Sequence, residues 1–291
     1  MPLDLLFSVK KYPEVGSKID GTGLLVQGGG PVPNALIGLR RMGYTGALIS
    51  AVGDDLIGET GVRELEAEGI DLRFVVRKKG SSLAAVGLVE QGSGRRTMVL
   101  NRQIHVTPSD ITPSAYPAPR IIHLDGRDLD ACLRLARWGK RLGAVITFDI
   151  GSVRNDVSPI FPLVDHLVVA DAYAFPFTST RSVQKAVGRL KELCPGTVVI
   201  TQGIKGATGC DKSGLVRQRA FRVKAVDATG AGDAFHAGYL YGLLNDFSLA
   251  ERLVMGSAVA ALSCTRLGAR TGIPTLKELN RFLRKPPPTY A

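Results

Sequence analysis

Asp227-Ala228-Thr229-Gly230-Ala231-Gly232-Asp233 has an acid at each end and no bulky side chain between them. A run with helical character follows over 234–244. Phosphoryl transfer calls for such a stretch. Small residues let backbone N–H groups approach an anion, and a helix N-terminus adds partial positive charge. Asp233 would stand beside the phosphate, placed to take a proton from an attacking hydroxyl. A Gly-rich turn before a helix has the same letters, so this stretch alone does not separate turn from site.

Two other stretches place small residues where a ligand would need room. Gly28-Gly29-Gly30-Pro31-Val32-Pro33-Asn34 precedes a helical pattern over 35–42. Its glycines permit close backbone approach, and Asn34 in the first turn can donate to and accept from a sugar hydroxyl. A helix cap reads equally well. Thr201-Gln202-Gly203-Ile204-Lys205-Gly206 follows a buried strand, where a nucleotide lies in an α/β sheet.

The elements that must hold these stretches alternate along the chain. Strand-like runs at 47–52, 121–124, 145–149, 166–169 and 198–201 are separated by helical patterns. Among these are 56–68, the face Leu129, Cys132, Leu133 and Ala136, and the face Val183, Ala186, Val187 and Leu190. The alternation predicts an α/β fold, a mostly parallel sheet with helices on both sides. Ligands in such sheets bind beyond the carboxyl ends of the strands. Residues 5–26 and 82–100 break the pattern, with strand character and no helix between. The second reads as a hairpin turning at Gln91-Gly92-Ser93-Gly94. Together they predict a small sheet that acts as a lid and excludes water, the alternative being an edge extension of the main sheet. The whole of 1–291 reads as one domain.

The chain has 291 residues, 45% of them hydrophobic, enough for a sizeable core. No apolar run reaches the ~18 residues of a membrane span, and the first residues show no secretory pattern. Cys132, Cys194, Cys210 and Cys264 are widely spaced, as are His105, His123, His166 and His236, so no metal-ligand spacing is visible. A reduced, cytoplasmic setting is expected. The net charge of +11 raises the question of nucleic acid. The basic residues are scattered without interleaved aromatics, which argues against it. A site for a polyanion such as ATP tolerates the same balance.

In combination and order, the three motifs resemble the PfkB (ribokinase-like) family of carbohydrate kinases. That family carries Gly-Gly-x-x-x-Asn, then Thr-x-Gly-x-x-Gly, then Asp-Thr-x-Gly-Ala-Gly-Asp. Here these are Gly29, Gly30 and Asn34, then Thr201, Gly203 and Gly206, then Asp227 to Asp233, with Asp227-Ala228 for Asp-Thr. The segment 260–269 is similar to the family's closing segment, so the resemblance spans essentially the whole chain. It implies a three-layer α/β/α sandwich with a small β-sheet lid, and ATP-dependent transfer of the γ-phosphoryl group to a sugar hydroxyl. By the same resemblance Asp233 is the base. The N–H groups of Ala231, Gly232 and Asp233, behind Gly230, form the anion hole. Gly29, Gly30 and Asn34 meet the sugar. Thr201, Gly203 and Gly206 line the nucleotide pocket, with Gly230 and Gly232 at its phosphate end. Mg²⁺ is expected to bridge the phosphates mostly through water. Asp227, Thr229, Cys264 and Gly268 fall where relatives bind a monovalent cation, K⁺ being the candidate. Relatives often pair through the lid, so a homodimer is implied.

The chain departs from the family twice. Asn-x-x-Glu, which helps relatives organise Mg²⁺, reads Ala170-Asp171-Ala172-Tyr173 here, with Asp171 as a partial substitute. Asp4 resembles the sugar-binding Asp that follows the first strand of the main sheet, yet only three residues precede it. The expectation is that this first strand is missing before residue 4 and that translation begins upstream of Met1.

Within the family the texture most resembles the branch containing 6-deoxy-6-sulfofructose kinase, through Gly28 to Pro31, Val199 to Gly203 and Cys264 to Pro274. That likeness implies that Lys18, Arg127 and, after a one-residue gap, Asn101 hold a sulfonate. A fixed anion is well served by a point charge, a planar fork and a neutral donor. Lys18 also reads as a solvated strand lysine, and Arg127 as a residue beside a neutral sugar. An anionic ketose, a neutral sugar and a nucleoside stay open. So does a sugar sensor that has lost catalysis, although pure binding does not require Asp233.

Overall fold

The structure, a computed structural model, describes residues 2–92, 96–153, 155–285 and 288–290. The chain opens with β1 (Pro2–Val9), β2 (Gly23–Gly28), α1 (Pro31–Arg41), β3 (Ser50–Gly53), α2 (Leu56–Ala67) and β4 (Val75–Lys78). It continues with β5 (Leu83–Glu90), β6 (Arg96–Asn101), β7 (Ile121–Leu124), α3 (Leu129–Arg141), β8 (Val145–Ile150) and β9 (His166–Ala170). Then come α4 (Asp171–Phe177), α5 (Val183–Leu193), β10 (Thr197–Thr201), β11 (Ala207–Asp211) and β12 (Gly214–Gln218). Helices α6 (Ala231–Leu244), α7 (Leu249–Ser263) and α8 (Leu276–Arg284) close it.

The main sheet has six strands in the order β12-β11-β10-β9-β8-β7. β7 to β10 are parallel, and the β10–β11–β12 edge is antiparallel. The parallel strands read as nearly unbroken apolar runs because both of their faces are covered. Their period of two divides the residues between two cores. Leu167, Val169, Val198 and Ile200 face the helices α3, α4 and α5. Val168 and Val199 face Phe235 and Tyr239 of α6 and Leu253 of α7. Helices α1, α6, α7 and α8 complete that second layer. These are the three layers that the alternation implies.

The small sheet has the order β2-β1-β5-β6, with β1 parallel to β5 and antiparallel to β2. Residues 10–22 form no strand, so the strand character read across 5–26 divides into β1 and β2 around a loop. The hairpin between β5 and β6 is paired from Ala84–Asn101 to Val89–Arg96. Ser93 and Gly94 of its turn lie outside the described residues. The sheet exposes Leu24, Val26, Val86, Val99 and Leu100.

β3 and β4 form a separate parallel pair. A cavity of about 620 Å³ lies between them and β7, lined by Ala47 to Ala51, Ile121 to Leu124, Leu36, Leu135 and Trp138. Among the described residues no strand occupies this space, and β7 is the terminal strand of its sheet. The strand read at 47–52 begins only at Ser50, and Ala47 to Ile49 before it are joined to the β4 side by one bridge, Ala47–Asp71.

Candidate active site

The carboxyl ends of β7, β8, β9 and β10 point to one cavity of about 460 Å³. They bring Asp125 to Arg127, Asp149 and Ile150, Ala170 and Thr201 to its wall. Asp4, Ala85, Met98 and Leu100 of the small sheet cover it. Its floor is the start of α6, with Thr229, Gly230, Gly232, Asp233 and His236.

Gly230 makes this floor possible. It caps α6 at φ 73°, in the left-handed region, and an added Cβ would sit 2.7 Å from the Cβ of Ala269. A side chain there meets both backbone strain and a clash. Just beyond, the N–H of Ala231 donates to Ala228 O at 3.2 Å, closing a turn. The N–H groups of Gly232 and Asp233 have no protein acceptor among the described residues. Of the three amides expected to hold an anion, two are ready and the first is engaged.

Asp233 lies in the first turn of α6 and accepts a 2.6 Å bond from Asn34 Nδ2. The other end of that amide is fixed, since Arg270 Nε donates to Asn34 Oδ1 at 2.9 Å. Arg270, only 4% exposed, also donates to Glu64 Oε2 at 2.8 Å and to Gly29 O at 3.2 Å. Asn34, expected to meet a sugar, is thus a strut between a buried guanidinium and the candidate base. The glycines before it serve the same packing: a Cβ on Gly28 would strike the Arg270 guanidinium, and one on Gly29 the Asp4 carboxylate. Burial, and next the facing Asp149 carboxylate, push the Asp233 carboxyl up to about 6. At pH 7 and above Asp233 is then ionised and still basic enough to accept a proton.

Arg127 borders the cavity with Nε paired to Asp125 Oδ2 at 3.1 Å, and its Nη1 is buried without a partner. Lys18 and Asn101 do not join it. Lys18 is exposed on the loop between β1 and β2, and Asn101 is exposed at the end of β6 opposite Ala84. Arg102, beside Asn101, lines the cavity instead, although its Nη2 is held by Arg127 O and Asp128 Oδ1.

Thr201 borders the cavity, while Gly203 and Gly206 shape the β10–β11 connection. Gly206 has φ 92°, and a Cβ on it would strike Gln218 O, so this glycine is required by the turn itself. The four residues read as a monovalent-cation set do come together, but as a hydrogen-bonded staple. Asp227 Oδ1 accepts from Thr229 N at 2.8 Å and Oδ2 from Gly268 N at 2.9 Å. Cys264 O already accepts from Val226 N and Asp227 N, which leaves it little to offer a cation. Asp171 starts α4 and is not among the cavity residues.

The pfkB family carbohydrate kinase pattern matches residues 7–276. This chain belongs to that family. As a PfkB kinase it is a phosphotransferase, and the proteins it resembles are named as sugar and nucleoside kinases. It is 25% identical to the ribokinase of Haemophilus influenzae, with 96% of this chain and 95% of that protein covered. It is 27% identical to a fructokinase of Klebsiella pneumoniae, covering 91% and 94%. An E. coli chain assigned as ribokinase II, solved with ATP and Mg²⁺, shares the fold at TM-score 0.82 and 21% identity, over 97% of this chain and 96% of that one. The architecture of this PfkB kinase is accordingly the ribokinase-like three-layer sandwich.

Reading the sequence missed Arg270, Glu64, Asp149, Arg102 and the role of His236. A signal existed for two of them. Asp149 is an acid at the end of an otherwise apolar strand run, and His236 stands three residues after Asp233, on the same helix face. Arg270 and Glu64 gave none, since they are joined to Asn34 only by folding.

Proposed function

We propose that this protein transfers the γ-phosphoryl group of ATP to a hydroxyl of a small sugar, with Asp233 as the base. The observation that carries the reading is Asp233, raised to about 6 and aimed by Asn34, at the start of a helix with two unengaged N–H groups. A hydroxyl directed at Asp233 gives its proton to that carboxylate as its oxygen attacks the γ-phosphorus, and the bond from that phosphorus to the β–γ bridging oxygen breaks, releasing ADP. The N–H groups of Gly232 and Asp233 hold the negative charge on the transferring phosphoryl group. Thr201 and the carboxyl ends of β9 and β10 border the nucleotide side.

ATP with Mg²⁺ is the phosphoryl donor in this reading, supported by the ribokinase-like neighbour that holds both. Asp149 and Asp233 already have side-chain partners, so no protein carboxylate is assigned to the ion. Mg²⁺ arriving on the phosphates supplies charge neutralisation there.

The wall favours a neutral sugar. Asp4, Asp125, Asp149 and Asp233 line it against Arg102 and Arg127, and carboxylates accept hydroxyls but repel anions. One observation favours an anionic ketose instead, the buried and unpartnered Nη1 of Arg127. Purified protein with ATP-Mg²⁺ should be assayed against ribose, fructose, fructose 6-phosphate, 6-deoxy-6-sulfofructose, 2-keto-3-deoxygluconate and adenosine. A neutral sugar is expected to give the highest kcat/KM. A tenfold preference for either anionic sugar would reverse that choice, and sugar binding without turnover of ATP would remove the kinase reading. The exposed apolar side of the small sheet supports pairing of two copies, which light scattering would test.

A further inference from the structure

Behind Asp233 lies a buried cluster that this reaction does not use. Asp149, near the end of β8, accepts from Nε2 of His236 at 3.1 Å. Both are buried, and both border the same cavity as Asp233. His236 sits three residues beyond Asp233 on α6, on the same helix face. His123 of β7 lies against it with ring centroids 5.0 Å apart. The Thr147 hydroxyl donates to Ile122 O, so it accepts from Nδ1 of His123 at 2.9 Å and leaves the buried Nε2 of His123 without a partner.

Two carboxylates bordering one buried cavity tend to share a proton, which raises the pKa of one of them strongly. A shared proton would cost the reaction its base. We propose that His236 is a positioning residue for the phosphoryl-transfer site: it claims the Asp149 carboxylate, so that Asp149 and Asp233 stay ionised side by side. This rests on Asp233 acting as the base. Asp233 is faced by Asn34 from α1, Asp149 from β8, Arg127 from the turn after β7, His236 from its own helix and Asp4 from the small sheet. Arg127 spends its Nε on Asp125, which leaves His236 as the hydrogen-bond donor to Asp149 among the described residues. The electrostatics agree with the geometry. Burial pushes the Asp149 carboxyl up, yet His236 first, and Arg127 to a smaller extent, bring it below its ordinary value. Burial, with His236 beside it, pulls His123 down to about 3, so His123 is neutral and adds no charge.

The test is the pH profile of kcat/KM for the best sugar of the panel, on wild type and three variants whose folding is checked by circular dichroism. In His236→Asn the acid limb should move up by about one pH unit, a ~10-fold loss below pH 6 that is regained above pH 8. Asp149→Asn should move it down, and the double variant should match Asp149→Asn, because His236 acts through Asp149. Equal, pH-independent losses in both single variants would overturn the proposal. Nitrogen NMR of the wild-type imidazoles covers the case of a variant that does not fold. A proton on Nε2 of His236 is expected, and a bare Nε2 overturns the assignment. A stoichiometric transition metal found on the purified protein would also overturn it, by claiming the same three side chains. Failure of the base reading looks different, since Asp233→Asn would then retain turnover.

Discussion

Two adjoining cavities meet at Pro2, Gly30, Arg102, Asp125 and Arg127, yet their chemistry differs. The one of about 620 Å³ is bordered largely by apolar side chains, among them Leu36, Leu48, Leu135 and Trp138, and by the terminal strand β7, with Asp71, Arg120 and Asp128 also on its wall. The one of about 460 Å³ collects four aspartates, two arginines and the start of α6. The larger space is a gap in sheet packing. The smaller is where strand ends and a helix N-terminus converge, and backbone amides with carboxylates can act together only there. Size is thus a poor guide to function in this molecule, and the convergence of polar groups is a good one.

The comparison is tested most severely at Asp233. Asp233→Asn should lower kcat by about 10³-fold or more in a coupled ATP assay. It should not lower the melting temperature at pH 7. Burial raises the folded carboxyl to about 6 from 3.8, so the folded state binds the proton more tightly than the unfolded chain does. Stability from this group is therefore fully present below about pH 4 and is lost as pH rises through about 6. Asparagine removes that loss. In wild type, activity should rise with pH through an acid limb near 6, opposite in direction to this contribution to stability.

Next in size is the strut. Arg270→Ala leaves the half-buried Glu64 without its guanidinium and frees the amide of Asn34, and should cost about 1–3 kcal/mol in urea unfolding. Arg270→Met should restore part of the packing but not kcat, because Asn34 would still lack its partner. In the apolar cavity, Ala131→Leu should raise stability by about 1 kcal/mol with unchanged kinetics. If it destabilises instead, that space is already filled in solution and the comparison fails on its apolar side. The smallest effect is expected at Lys18 and Asn101. Lys18→Ala and Asn101→Ala should each change kcat/KM by less than about threefold, as exposed residues outside the cavity do. A tenfold loss in either would draw the small sheet's outer residues into the site and restore the anion clamp.

Legibility in the sequence followed the range of the physics. The apolar runs of β8, β9 and β10 announce a sheet buried on both faces, because burial acts on each residue where it stands. Gly230 and Asp233 were legible because a left-handed cap, free amides and a carboxylate lie within one turn of helix. Lys18 and Asn101 were misplaced because the letters say neither where a loop such as 10–22 runs nor which face of β6 meets the cavity. Gly203 and Gly206 read as clearance for a nucleotide, and the structure adds that Gly206 is also required by the β10–β11 turn.

By itself the sequence determined the chemistry on offer: a glycine-rich, acid-ended start of α6, an alternating α/β scaffold and a family. Those depend on residue type and short spacing, which the chain carries locally. Only the tertiary structure decided that Asn34 braces Asp233, that Arg270 braces Asn34, and that Asp149 and His236 stand behind Asp233. These contacts join residues 199, 236 and 87 positions apart, so no local pattern encodes them. They exist because strand ends and helix starts are packed to one point, where burial makes each unpaired charge costly and each pairing specific.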